Sequence, residues 1–284
     1  MTELAWRQLR DESLDRLRAG AIDQPEQELR WIIERATGLT PSEQVASLDE
    51  PVTERQVRFV DEMVARRSKG EPLQYVLGRW GFRTLDLMVD RRVLIPRPET
   101  EVVAGLAIDA LPTGGVLVDL GTGSGAIALS VAAERWPDVE VWGTDASADA
   151  LAVARANLAG LGRRAGVIRL VQGDWFAALP AELRGRIDVV VSNPPYVAST
   201  EPLPPEVAGW EPTSALVAGS TGLEAIEVIV AEASDWLAPG GTLVVEIGET
   251  QGDAVRAIAR AAGLTDPRIE ADLAGRDRAL VARP

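Results

Sequence analysis

Two side chains that dominate enzyme chemistry are missing from these 284 residues: there is no cysteine and no histidine. The first absence excludes disulfides, thiolate metal sites and a cysteine nucleophile. The second removes Ser-His-Asp triads, imidazole general bases and histidine metal sites, so no metal is expected. Chemistry here must run on carboxylates, amides, tyrosine, the backbone or a bound cofactor. Lysine is nearly absent too. Lys69 is the one ammonium among 29 basic residues, and the arginines that make up the rest carry permanent charge and are poor general bases. Positive charge is also in deficit, since 43 acidic residues leave a net charge of -14. A chain of that sign is badly suited to neutralise phosphates, and direct nucleic-acid binding is not expected. No run approaches the roughly 18 apolar residues of a membrane span, and the N-terminus has no apolar core of signal-peptide type. A cytoplasmic protein without membrane contacts is expected.

What is present is an ordinary globular balance, 46% hydrophobic and 25% charged, in a length that suits one large domain and one small one. Residues 1–75 read as a small helical bundle. Leu4, Leu9, Leu14 and Leu17 recur at near-helical spacing. Asp23 reads as an N-cap with Pro25 just inside the next helix, whose stripe is Leu29, Ile32, Ile33 and Ala36 and whose stop is Gly38. Thr53 opens a third helix with Val57, Val60 and Val64 on one face. Residues 76–112 read as a β-hairpin linker: Trp80, Phe82, Leu85, Leu87 and Val89 alternate with polar residues, and the prolines of Leu94–Glu101 hold that piece extended.

Residues 113–284 alternate strand and helix. Strands are expected at 116–119, 139–145, 167–171, 187–192 and 242–247, helices at 126–135, 148–158 (capped by Ser147), 223–237 and 252–262, and a closing pair of strands within 269–282. Such alternation predicts an α/β fold, a Rossmann-like, mostly parallel sheet with helices on both faces. The Pro-rich stretch 201–212 reads as a surface loop.

Ligands of open α/β sheets bind at the carboxyl ends of the strands, and three of those ends are unusual. The first runs into Gly121, Thr122, Gly123, Ser124 and Gly125, glycines that let backbone approach a ligand ahead of a helix N-terminus. The second ends at Asp145, a side chain able to accept from both hydroxyls of a ribose or to cap the next helix. These two features fit a nicotinamide dinucleotide as well as other nucleosides. The fourth strand decides between them: it runs straight into Asn193, Pro194, Pro195 and Tyr196. Two consecutive prolines fix the backbone and leave carbonyls without competing local N–H groups. Asn193 adds a side-chain carbonyl, so a planar substrate NH2 finds two acceptors and, in Tyr196, an aromatic face. A nicotinamide oxidoreductase leaves this segment unexplained.

Taken in register, Ile95-Pro96-Arg97-Pro98-Glu99-Thr100-Glu101, Asp119-Leu120-Gly121-Thr122-Gly123-Ser124-Gly125 and Asn193-Pro194-Pro195-Tyr196 resemble the release factor glutamine methyltransferases, the HemK family, across nearly the whole chain. The resemblance implies a class I methyltransferase domain preceded by a small helical domain that docks the substrate. It implies S-adenosylmethionine as cofactor, with Gly121 to Gly125 around its methionyl and ribose portions, Asp145 on the ribose hydroxyls and Trp175 beside the adenine. Asn193 would touch cofactor and substrate, Asn193 and Pro194 would be catalytic, and Asn193 to Tyr196 would clamp the substrate. That substrate would be the glutamine of the Gly-Gly-Gln motif in bacterial class 1 peptide chain release factors, methylated on its side-chain nitrogen (N5). Rival readings are a ribosomal-protein glutamine methyltransferase, a DNA adenine methyltransferase, which needs a basic groove, and a binding module on a retired fold, which needs damaged motifs.

Overall fold

The computed structural model describes residues 4–284. Their contacts gather into two compact units, one running to Arg79 and including Pro204–Trp210, the other comprising Trp80–Leu203 and Glu211–Pro284.

The first unit is helical. It holds α1 (Trp6–Ala19), α2 (Pro25–Thr37), α3 (Pro41–Ala46), α4 (Glu54–Arg67) and α5 (Leu73–Leu77). Each long helix buries one stripe: Trp6, Leu9, Ser13 and Leu17 on α1, Leu29, Ile32 and Ile33 on α2, and Val60 and Val64 on α4. Thr53 does open α4. Its side chain accepts from the Gln56 amide, and Gln56 reaches back to the Thr53 amide, a reciprocal capping box. Pro25 occupies the first turn of α2 and Gly38 ends it in the left-handed region, as expected. The cap of α2, however, is Gln24 and makes no side-chain bond, so Asp23 lies one residue too early to serve. Two short helices, α3 and α5, escape a periodicity argument because neither spans two turns.

A hairpin of β1 (Arg79–Phe82) and β2 (Leu85–Met88), which belongs to the second unit from Trp80 onward, is followed by α6 (Thr100–Ala110). Pro96 and Pro98 keep the chain non-helical only as far as Glu99. Beyond them α6 forms from a run that is apolar on most sides and so carries little periodic signal. Then come β3 (Gly115–Leu120), α7 (Ala126–Arg135), β4 (Val139–Asp145), α8 (Ala148–Ala159), β5 (Ile168–Gln172) and β6 (Ile187–Ser192). A short strand, β7 (Val197–Ala198), precedes α9 (Pro205–Ala208), which clusters with the first unit, and pairs with β8 (Val217–Gly219). The chain closes with α10 (Glu224–Trp236), β9 (Leu237–Glu246), α11 (Gly252–Ala261), β10 (Thr265–Ala271) and β11 (Asp277–Arg283). β9 starts ahead of Gly240-Gly241, and the extra residues are taken up by a register shift against β6 between Ile187 and Val189.

The main sheet has the order β10-β11-β9-β6-β3-β4-β5. From β9 to β5 all neighbours are parallel, while β11 runs antiparallel to β9 and to β10. Side chains alternate between two cores, as the pleat requires. Leu117, Val189, Val191 and Val244 pack with α6 and α7, and Val118, Val190, Leu243 and Val245 pack with α10 and α11. Burial on both faces explains why these strands read as continuous apolar runs. The strand order reverses between β3 and β6, which opens a crevice at their carboxyl ends.

One side chain ties this crevice to the hairpin. Asn157 on α8 accepts from the Met88 amide at 2.7 Å and donates to the carbonyls of Met88 at 3.1 Å and Ser124 at 2.9 Å. We expect Asn157→Ala to cost about 2–3 kcal/mol, the value of three part-buried hydrogen bonds, read from urea denaturation midpoints. Unchanged stability would mean that water replaces all three.

Candidate active site

The turn after β3 is folded back onto β4. The amides of Gly121 and Thr122 both donate to the Thr144 carbonyl, at 2.9 and 2.8 Å, and the Gly123 amide donates to Asp145 Oδ2 at 2.8 Å. Glycine is required at two points of this turn. Gly121, at φ 72°, lies under the Trp175 ring, which a Cβ would approach to 3.3 Å. Gly125, at φ 85°, caps α7 and points inward, where a Cβ would meet Leu129 at 2.9 Å.

Asp119, the penultimate residue of β3, is buried beneath the turn. Its Oδ2 accepts from the Thr122 hydroxyl at 2.7 Å and from the Ala128 amide at 3.1 Å. Its Oδ1 has no hydrogen-bond partner among the described residues, although Asp119 borders the crevice. Burial pushes this carboxyl up to about 7, against the pull of those two donors. Asp145, at the end of β4, is also raised by burial, opposed by the Ser147 and Gly123 amides. Capping of α8 belongs to Ser147, whose hydroxyl accepts from the Ala150 amide at 3.1 Å. Asp145 is thus free of the helix-cap duty and faces the crevice.

β6 ends with Ser192, whose buried hydroxyl donates to the Leu120 carbonyl at 2.7 Å. Asn193 follows, and its Nδ2 donates to Thr100 Oγ1 at 3.2 Å. Tyr196, expected to offer its ring to a flat substrate amide, is part-buried. It packs against the core on the α10 side, and its hydroxyl donates to Glu246 Oε1 at 3.4 Å. Burial, with Glu246 adding to it, raises the phenol above its ordinary value. Burial also pushes Glu246 up to about 7.

Together these ends line a cavity of about 240 Å³. Of the residues singled out from sequence, Gly121, Thr122, Gly123, Ser124, Asp145, Trp175, Asn193 and Pro195 line it. Gly125, Pro194 and Tyr196 are not among its lining: Gly125 faces Leu129, and Tyr196 is turned toward Glu246. Two further stretches contribute to the lining, Arg92, Val93, Leu94, Pro96 and Thr100 from one and Pro212, Ser214 and Ala215 from the other. A buried carboxylate joins these two stretches. Glu211 accepts from the Ile95 amide at 3.0 Å and from the Arg97 guanidinium. The Pro-rich stretch is therefore not wholly a surface loop, because its end carries Glu211 into the interior.

Four residues of this site, Asp119, Thr100, Glu211 and Glu246, carried no assigned role in the sequence reading. Asp119 and Glu246 do have a signal, an acid at the carboxyl end of an otherwise apolar strand. Thr100 has one as well, since it lies in the proline-held segment 96–101, whose rigidity and mix of Arg, Glu and Thr suit a pocket-lining loop; Glu211 has none, since its partners are remote in the chain. Among the described residues no group of acidic side chains is placed to hold a metal, and no helix is long and apolar enough to cross a membrane.

Comparison with known proteins places this geometry. A release factor glutamine methyltransferase of Caulobacter vibrioides is 41% identical over 271 residues, 94% of this chain and 92% of its own length. One from Burkholderia pseudomallei is 42% identical over 93% of each chain. The chain belongs to the release factor glutamine methyltransferase family. Two family models match, the PrmC N-terminal domain over residues 8–78 and the methyltransferase small domain over residues 102–203. The crystal structure of a methyltransferase from Pyrococcus furiosus shares the fold, with a TM-score of 0.50 at 20% identity over 70% of this chain and 88% of that one. The α/β class and the mostly parallel sheet read from sequence are those of this methyltransferase family.

The buried acid under the turn has a measurable consequence. Asp119 holds its proton more tightly folded than unfolded, so the stability it contributes is full below its ordinary value near 4 and is lost as pH rises through about 7. Without cofactor, Asp119→Asn should therefore melt at least about 3 °C above the parent at pH 8, the effect of roughly 1 kcal/mol in a chain of this size. At pH 5 the gap should shrink. A variant that melts lower at pH 8 would show the carboxylate to be stabilising.

Proposed function

We infer that this chain transfers a methyl group from S-adenosylmethionine to the side-chain amide nitrogen (N5) of a glutamine in a release factor. The observation that carries the reading is Asn193-Pro194-Pro195-Tyr196 standing at the strand-order reversal, beside the Gly121–Gly125 turn and with the Asn193 oxygen unclaimed by Thr100. Substrate and site match in chemistry. A glutamine amide presents two N–H donors and needs acceptors; the Asn193 side-chain Oδ1 and the backbone carbonyl of Pro194 are acceptors.

The residues on the β3 side suit the cofactor. The orphan Oδ1 of Asp119 is an acceptor ready for an ammonium. Gly121 to Gly125 bring backbone to the ligand at the N-terminus of α7. Each Asp145 oxygen keeps a lone pair for a ribose hydroxyl, and the Trp175 ring offers a flat face to adenine. Bound there, S-adenosylmethionine supplies a methyl group already activated by its sulfonium.

What remains for the protein is placement. An amide nitrogen is a weak nucleophile because its lone pair is delocalised into the carbonyl. Acceptors on its two N–H groups aim the nitrogen and stabilise the positive charge that grows on it. Alignment of this kind contributes several kcal/mol. The methylated nitrogen then sheds its proton readily to solvent, so no tuned base is required, and a chain without histidine is sufficient. The phenol of Tyr196, raised and committed to Glu246, serves to hold the clamp and not to move protons.

The target glutamine is that of the Gly-Gly-Gln motif of class 1 release factors, and residues 1–75 dock the factor, because a folded substrate needs more contacts than one side chain offers. This places the reaction in the cytoplasm. The decisive test incubates the protein with labelled S-adenosylmethionine and a purified release factor and locates the label by peptide mass spectrometry. Label on the Gly-Gly-Gln glutamine supports the reading; label found only on a ribosomal protein moves the substrate there. Asn193→Ala should cut turnover by at least about 10²–10³-fold while calorimetry finds cofactor affinity nearly unchanged; near-normal turnover would sink the mechanism. Asp145→Ala should do the reverse, weakening the cofactor by about 10-fold or more. Removing residues 1–75 should harm methylation of the whole factor more than that of a short Gly-Gly-Gln peptide, and equal losses would leave the helices a structural role.

A further inference from the structure

Prolines stiffen a segment but do not fasten it. Pro194 and Pro195 set their own φ angles and carry no N–H, so neither ties the clamp to its surroundings through a donor. The direction of the Pro194 carbonyl therefore depends on how the segment is held at its two ends. One end is the bond from the Ser192 hydroxyl to the Leu120 carbonyl. The other is the peptide between Tyr196 and Val197. Its N–H donates to the Leu216 carbonyl at 2.9 Å, and its carbonyl accepts from Nε2 of Gln251 at 2.9 Å.

Gln251 is the residue just ahead of α11. Its side-chain amide is used at both ends. Oε1 accepts from the Gly248 amide at 2.9 Å, and Nε2 donates to the carbonyls of Tyr196 and Gly222 at 2.9 and 3.2 Å. These partners dictate which end is which, because a backbone N–H needs an acceptor and carbonyls need donors. One side chain thus joins the turn between β9 and α11, the approach to α10 and the end of the clamp. The Tyr196 carbonyl is also packed closely. Gly222, at φ 78°, lies so near that a Cβ there would stand 2.6 Å from the Tyr196 oxygen and 3.2 Å from Gln251 Nε2. The phenol of the same tyrosine is held at the end of β9, by Glu246 Oε1.

We propose that Gln251 is a positioning residue for the methyl transfer: it holds the peptide at the C-terminal end of the clamp and so, through two stiff prolines, sets where the Pro194 carbonyl points. The proposal rests on the glutamine-amide reading. Gln251 is not among the residues that line the cavity and acts through Tyr196. Glutamine is the side chain this place demands. A glutamate would still accept from Gly248, but it has no N–H for either carbonyl and would set oxygen against oxygen. A methionine keeps the length and loses all three bonds. Freed at this end, the clamp can move its acceptor by a fraction of an ångström to an ångström, and a misplacement of about 1 Å costs on the order of 10²-fold in rate. The Gly121–Gly125 turn makes no hydrogen bond to Gln251, so the effect should fall on the transfer step and spare the cofactor.

The test measures kcat and KM on a purified release factor, cofactor affinity by calorimetry and melting curves for the parent, Gln251→Glu, Gln251→Met, Gly222→Ala and Gly263→Ala, with rates taken well below every melting point. Both Gln251 variants should lose about 10- to 100-fold in kcat with cofactor affinity within about twofold. The two glycines separate positioning from stability. Their φ angles are 78° and 81°, so alanine strains both alike, yet at 222 the new methyl meets the clamp while at 263 nothing lies within 4 Å of it. Gly222→Ala should lose about 10-fold or more in kcat. Gly263→Ala should melt lower and keep the parent rate. The proposal is overturned by Gln251→Glu at the parent kcat, by a change confined to KM, by cofactor affinity falling in step with kcat, or by the two alanine variants losing rate equally. If Gln251→Glu does not fold, Gln251→Met and the glycine pair still decide. A parent protein that leaves the release-factor glutamine unlabelled fails earlier, before any substitution, and overturns the substrate reading and this proposal with it.

Discussion

A single buried hydrogen bond, from the Ser192 hydroxyl to the Leu120 carbonyl, pins the ends of β6 and β3 where the sheet reverses its order. One residue further on, the two chains part. Gly121 turns back over β4 to make one wall of the cavity, and Asn193 begins the proline-stiffened wall opposite. Three acids sit at fixed offsets from this junction: Asp119 one residue before it, Asp145 one strand over, Glu246 one strand to the other side. The spacing between the Gly121 turn and the Asn193 segment is therefore a property of the sheet, whose strands are buried on both faces and have little freedom to shift.

The same junction explains how a chain without imidazole handles a reaction that releases a proton. The acids near the cavity are not used as bases in the reading developed above. Asp119 and Glu246 are buried, and burial pushes each carboxyl up to about 7 while hydrogen bonds from Thr122 and Ala128 to the first and from Tyr196 to the second offset part of the cost. Their value lies in being acceptors. Asp119 Oδ1 borders the cavity without a partner, and Glu246 Oε1 takes the Tyr196 hydroxyl.

Most of this architecture was legible in the sequence because the strands are apolar throughout and their carboxyl ends are marked by glycine, acid or proline. Leu117–Leu120, Val139–Asp145 and Ile187–Ser192 announce themselves this way, and so do the turn and the clamp that follow them. Three kinds of feature were not legible. Helix α6 carries apolar residues on most sides, so no stripe betrays it, and α3 and α5 are too short for one. Tyr196 was read for its aromatic face; the partner of its hydroxyl, Glu246, lies 50 residues away and leaves no local trace. Glu211 has no local signal at all, since what makes it important is a partner about a hundred residues distant.

Glu211 has a mechanical meaning beyond its bonds. It joins the Ile95–Arg97 segment to the stretch leading into Pro212–Ala215, across 116 residues of chain. A carboxylate buried this deeply beside a guanidinium is shielded from salt, and parting the two would strand a charge in the interior. The two segments that border the cavity here are accordingly fastened to each other from within, so that this part of its lining is one unit made of two covalent pieces.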